Sequence, residues 1–267
     1  MKVPFLRCGT LFFLAILNWP LLGATPNEGD TLLAHQQFEK GLQARELGNW
    51  GKLQTAFDSS YILFQEAGQI RRAIEAKLQE GEGLFLASRL KQCEKAWEEA
   101  DRLRKEALSD DPALEALCAN NLGVLAFHKG QPVKSSDYFY KAKSIWDTLA
   151  SVDSESRAAL SSNLAIIQES LGDFVGTMAL LTEAEKMAGK DSLKNREKLT
   201  TISANLAHLC ILTGDYERAL YHGVRAQRLG LSFLKPEDPR MRAVYNNLGL
   251  AYLGDGNRRG FVDAIQA

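Results

Sequence analysis

From Pro112 onward the apolar residues fall three and four apart instead of alternating. Leu114, Leu117, Cys118, Leu122, Leu125 and Ala126 form one such series, and Phe139, Ala142, Ile145, Trp146 and Leu149 form the next. That spacing puts one apolar stripe on a helix, so it predicts two helices in succession. Asp111 before Pro112 reads as an N-cap followed by proline at the first helical position. Gly130 ends the first helix by accepting a left-handed backbone, and Pro132 permits the second to start. Glu237-Asp238-Pro239 repeats the cap-plus-proline start further along.

This pair of helices recurs with a step of 42 residues. One column is Asn121-Leu122-Gly123, Asn163-Leu164-Ala165, Asn205-Leu206-Ala207 and Asn247-Leu248-Gly249. A second is Gly130, Gly172, Gly214 and Gly256, and a third is Ala100, Ala142, Ala184 and Ala226. A repeat of this length in a chain with only 7 Pro predicts stacked helical units. Helices joined by a short turn cross closely, and a side chain larger than Ala at the crossing pushes the axes beyond about 8–10 Å. Gly123, Ala165, Ala207 and Gly249 supply that point on the first helices, with Ser135, Thr177 and Ala219 opposite. Trp97, Phe139 and Leu181 fill the space beside them. Two earlier units follow the frame loosely. Gly81, Leu84, Ser88, Cys93, Trp97 and Ala100 keep it with Glu80 in the Leu column, and Gly41, Ala44, Gly48, Trp50 and Phe57 keep it with Glu39 in the Asn column. Terminal units lose their pattern because one face meets water. The last unit decays after Gly256, where Arg258-Arg259-Gly260 stands at a helix start.

These residues resemble the tetratricopeptide repeat family. The match is Leu-Gly/Ala in the first helix, Gly at the turn, a small residue five later, an aromatic or Leu four after that, then Ala. Gly214-Asp215-Tyr216-Glu217-Arg218-Ala219-Leu220 is a good instance of the turn. The usual unit has about 34 residues. The longer step here is similar to the kinesin-light-chain variant, and its extra residues would lengthen each helix by about one turn. The resemblance covers roughly residues 32–264. It implies an all-α fold, a right-handed superhelical solenoid of about six helix pairs over residues 30–267. The units are approximately 34–68, 70–108, 112–150, 154–190, 192–234 and 239–267.

The resemblance also implies that the first helices line a concave groove for a protein or peptide partner. Residues three and four apart share a helix face. Asn121 is thereby grouped with Val124 and His128, Asn163 with Ile166, Asn205 with His208, and Asn247 with Leu250. An amide offers both donors and acceptors, so a ladder of Asn holds the backbone of an extended peptide, or a partner helix, without reading side chains. The same amides bonded to adjacent helices would instead set the stacking; the sequence leaves both readings open. Asn120, Ser162, Ala204 and Asn246 precede the column where a clamp for a terminal carboxylate needs Lys.

The N-terminus is a separate object. Lys2 and Arg7 precede the apolar run from Leu11 to Leu17, and Ala24 offers a small residue for cleavage. Residues 1–24 read as a signal peptide, or as an N-terminal anchor if uncleaved. The expected location is therefore secreted, periplasmic or cell envelope, with membrane association through residues 1–24 alone. With 32 Lys+Arg against 33 Asp+Glu, the chain lacks the basic surplus that nucleic acid demands. Cys93, Cys118 and Cys210 are widely spaced and read as core residues, with a Cys93–Cys118 bridge or a metal site as the alternatives. His35, His128, His208 and His222 form no H-E-x-x-H pattern, and no G-x-S-x-G, P-loop or G-x-G-x-x-G motif occurs. Neither catalytic site nor metal nor small-molecule cofactor is expected. The expected function is an exported, non-catalytic interaction scaffold. A regulatory or sensory subunit of a larger envelope or signalling assembly, or a scaffold that self-associates near Arg258, is the alternative.

Overall fold

The computed structural model describes residues 30–150, 152, 154–189, 195–238, 241–257 and 260. Residues 1–24, Arg258, Arg259 and the end of the sixth unit lie outside them, and with them the reading of a leader. The described residues form α-helices and no strand. In chain order these are α1 (Asp30–Glu46), α2 (Trp50–Glu66), α3 (Ile70–Leu86), α4 (Leu90–Ala107), α5 (Pro112–His128), α6 (Pro132–Trp146), α7 (Ser154–Ser170), α8 (Phe174–Ala188), α9 (Arg196–Leu212), α10 (Tyr216–Gly230) and α11 (Met241–Gly254). Each odd-numbered helix up to α9 packs on the next, and α11 packs against α9 and α10. The chain divides into two compact units, one holding α1–α6 and the other α7–α11. No described helix is long and apolar enough to cross a membrane.

One local device makes the turns inside the pairs. Gly48, Gly130, Gly172, Gly214 and Gly256 take a left-handed backbone, with φ between +64° and +84°. The N–H of the following residue then reaches back to a carbonyl five residues earlier: Asn49 to Ala44 at 2.8 Å, Asp173 to Gln168 at 2.9 Å, Asp215 to Cys210 at 2.8 Å. This satisfies a carbonyl that the ending helix leaves open. The same residue caps the next helix, since the side chains of Asn49, Asp173 and Asp215 accept from the N–H of Lys52, Gly176 and Arg218. One residue closes two helix ends, so a very short turn is enough.

Ser88 is the exception in this column, with φ +59°. A side chain in that conformation costs about 1–2 kcal/mol. Ser88→Gly is therefore expected to raise stability by about 1 kcal/mol, seen as a higher urea midpoint at unchanged slope.

The first two pairs differ from the later ones. Gly68 makes the connection between α2 and α3 the same kind of turn, with φ +70° and Gln69 N–H on the Phe64 carbonyl at 2.8 Å. Helices of 17 or 18 residues follow one another here almost without interruption. In later pairs the second helix has 15 residues, and the pairs are separated by 147–153, 189–195 and 231–240. The extra length expected in the helices goes partly into these connections.

The predicted crossings form. Ser135 Oγ donates to the Gly123 carbonyl at 2.7 Å, and Thr177 Oγ1 lies 3.3 Å from that of Ala165 while donating to the Asp173 carbonyl of its own turn at 2.6 Å. Each hydroxyl finds a backbone acceptor, which is what lets it be buried. A β-carbon on Gly123 would stand 3.0 Å from the Phe139 ring. Gly81 is tighter still: a β-carbon there would collide with the Trp97 indole. Cys93, Cys118 and Cys210 are buried free thiols, as core residues would be.

Candidate functional site

In the unit of α1–α6, adjacent first helices are joined through specific side chains. Arg45 on α1 donates through Nη1 to Gln79 Oε1 at 2.5 Å and Glu82 Oε2 at 3.0 Å, both on α3. Gln79 and Glu82 stand one repeat before Asn121 and Val124. Glu82 is 5% exposed, and its Oε1 has no hydrogen-bond partner. Burial pushes the Glu82 carboxyl up, against the pull of the Arg45 charge. Further along, the Phe85 ring on α3 meets His128 on α5 edge-on at 4.7 Å. Asn121 is buried and its Oδ1 accepts from Asn120 Nδ2 at 3.1 Å. Val124 is fully buried.

In the unit of α7–α11 the Asn column runs over successive first helices. Asn163 on α7 is fully buried with neither amide atom partnered. Asn205 on α9 is half-buried with Nδ2 unpartnered. Asn247 on α11 donates through Nδ2 to the Ala204 carbonyl at 2.9 Å, while its Oδ1 has no partner. The donor half of Asn247 thus ties α11 to α9, and its acceptor half does not. His208 on α9 places Nε2 3.2 Å from Glu169 Oε1 on α7, with Nδ1 unpartnered. Ile166 is buried, whereas Leu250 is 39% exposed. Asn205, His208 and Leu250 are therefore partly open, while Asn163 and Ile166 belong to the wall's interior.

The ionic links were not anticipated from sequence, although they leave a trace. Arg45 and Glu169 occupy one repeat column, Glu82 and His208 another. The pairs Arg45–Glu82 and Glu169–His208 therefore join the same two columns, with the carboxylate in opposite columns. A search for a carboxylate facing a nitrogen-bearing side chain between those columns would have found them.

Chemically the site offers hydrogen-bond donors and acceptors beside apolar surface. Burial pushes the Cys93 and Cys118 thiols up to about 12, far from the reactive thiolate range. No group of three His, Cys, Asp or Glu residues fit to hold a metal occurs among the described residues.

No protein-family model and no curated protein matches the chain. Solved structures do. BtubC (BKLC) from P. vanneervenii superposes with a TM-score of 0.64 at 17% identity, covering 87% of this chain and 88% of its own. A Podosopora anserina putative kinesin light chain with nearly identical TPR-like repeats gives 0.57 at 15% identity, covering 72% and 91%. The chain has the tetratricopeptide-repeat fold. PilW, described as a widely conserved type IV pilus biogenesis factor, shares this TPR architecture at a TM-score of 0.63 and 15% identity, with 86% and 90% covered. In TPR terms α1, α3, α5, α7, α9 and α11 are first helices and the others are second helices.

Proposed function

We propose that this chain is a non-catalytic protein-interaction scaffold that receives an extended peptide or a helix along its first helices. The observation that carries the proposal is the partly open surface of the first helices α9 and α11, where half-buried Asn205 and His208 share these helices with exposed Leu212 and Leu250. The amide and the imidazole offer a polypeptide backbone donors and acceptors beside apolar surface. The partner's side chains would meet Leu250 and Leu212, which is 47% exposed. Residues 1–24 would export the scaffold to the envelope or beyond. The likeness to PilW, named for pilus biogenesis, supports a place in assembly.

Panning a random-peptide display library on the purified chain tests this. Peptides enriched on the wild type are expected to bind the Asn205→Ala, Asn247→Ala pair about tenfold more weakly, with far-UV circular dichroism near wild type. Asn247→Ala alone should lower stability by about 1 kcal/mol through loss of the bond to Ala204. Absence of enrichment, or peptides indifferent to both substitutions, would sink the groove reading.

A further inference from the structure

Packed helices joined by short turns alternate in direction, so in the unit of α1–α6 the α1–α2, α3–α4 and α5–α6 turns share one edge. Each of these turns carries an exposed aliphatic residue: Leu47, 83% exposed, Leu86, 54%, and Val133, 65%. Each also carries one or more exposed cations. Lys52 stands at the start of α2, Arg89 and Lys91 at that of α4, and Lys129 and Lys134 at that of α6. Lys129 is engaged with Glu94, and the Lys134 ammonium lies over the Tyr138 ring. The side chains of Lys52, Arg89 and Lys91 have no ion-pair partner among the described residues. Glu46 is the one acid within a helical turn of these three connections.

The opposite edge of the unit is built differently. There Arg71 pairs with Glu75 and Asp111, Arg72 with Glu75, Lys105 with Asp101, and Lys143 with Asp147. Positive charge is balanced on that edge and unbalanced on the first. The sequence conceals the difference, because the cations are spread over three repeats and form no basic run. Beside Leu47, a pocket of about 520 Å³ opens between α1 and α2, with Lys40 and Lys52 in its lining. It has room for a phosphate group, which two ammonium groups would hold.

We propose that this edge binds the surface of an anionic lipid bilayer, with Leu47, Leu86 and Val133 entering the interface and the cations meeting lipid phosphates. Projecting side chains suit a bilayer, which yields around them, whereas a folded partner needs a matching hollow for each. Nucleic acid would satisfy the cations and leave the aliphatic tips in water. Trp50, half-buried at the start of α2, adds an amphipathic ring of the kind that favours the headgroup level. Each Lys or Arg near an anionic surface raises partitioning about fivefold, and salt screens the attraction. The edge acts in addition to residues 1–24 and is told apart from them by its dependence on charge.

Co-sedimentation of the full chain with lipid vesicles reads the binding. Phosphatidylcholine vesicles containing about a third phosphatidylglycerol are expected to retain more of the chain than phosphatidylcholine alone, with the difference lost at high salt. Lys52→Gln with Lys91→Gln should weaken binding to the anionic vesicles about 25-fold, fivefold for each charge. Leu47→Ser with Val133→Ser should weaken it about tenfold through lost apolar contact. Lys105→Gln, on the opposite edge, should leave it unchanged. All five positions are exposed, so unchanged thermal unfolding is the control for folding. Equal binding to neutral and anionic vesicles would assign the contact to residues 1–24 and overturn the proposal. Binding indifferent to either pair of substitutions, or a DNA duplex held as tightly as the anionic vesicles, would overturn it as well.

Discussion

Trp97→Ala is expected to cost about 3–5 kcal/mol of stability, and Gly81→Ala is expected to change sign in its presence. Trp97 lies on α4 with no exposed surface. Its Nε1 donates to the Leu78 carbonyl at 3.1 Å, and its ring stacks on Phe85 with centroids 5.9 Å apart. The indole enters the space left by the missing side chain of Gly81, where a β-carbon would collide with it. Held by the hydrogen bond and the stack, the ring has no room to retreat. In the wild type, Gly81→Ala adds overpacking of about 1–3 kcal/mol, which outweighs the roughly 1 kcal/mol that alanine gains over glycine in a helix. Once the indole is gone the clash is gone, and only the gain in helix propensity is left. Gly81→Ala should then stabilise the Trp97→Ala variant by about 1 kcal/mol. Urea unfolding of the four chains in the cycle measures this. Simple additivity would show that the glycine and the tryptophan do not interlock.

The parts of this interlock differ in how plainly the sequence displays them. Gly130, Gly172 and Gly214 mark their turns because a left-handed residue has few substitutes, so the requirement survives as a column. Gly123 with Ser135 and Ala165 with Thr177 were likewise legible, because a close crossing admits only small side chains. Gly68 carries the same signal as Gly48, yet its consequence is visible only in the structure: it makes the connection between pairs as short as the turn within them.

Periodicity was least informative about the candidate groove. It groups Asn121 with Val124 and Asn163 with Ile166 on one helix face. An apolar stripe spans 100° or more, wide enough to be divided between solvent and neighbouring packing. Spacing alone does not say which edge is which, and Val124 and Ile166 lie on the buried side while Leu250 lies on the open one. Arg45–Glu82 and Glu169–His208 escaped for another reason. They are departures from the repeat, a polar side chain where other units carry Val124 or Phe127, so a search for sameness passes over them.

The first of those departures carries a large expected effect. Arg45→Ala is expected to cost about 3–5 kcal/mol, the price of leaving a buried charge alone. Side-chain exposure is 17% for Arg45 and 7% for Glu82, and one Glu82 oxygen already lacks a partner. Removing the guanidinium leaves the carboxylate with no compensating charge and takes a donor from Gln79 as well. Replacing both partners by apolar residues of similar volume, Arg45→Met with Glu82→Leu, is expected to recover most of the loss, because the desolvated charges disappear together. The pH dependence gives an independent sign. Burial holds the Glu82 carboxyl above its ordinary value of 4.5. Between the unfolded and folded values the native chain binds more protons, so this group's contribution to stability rises as pH falls towards 4.5 and levels off below it. Without Arg45 the carboxyl is raised further. The Arg45→Ala deficit should therefore be largest at neutral pH and shrink on acidification, while in a Glu82→Gln background it should stay flat. Urea midpoints for these variants between neutral pH and about pH 5 measure the effect. A deficit independent of pH would show that Arg45 acts by packing and by Gln79 alone.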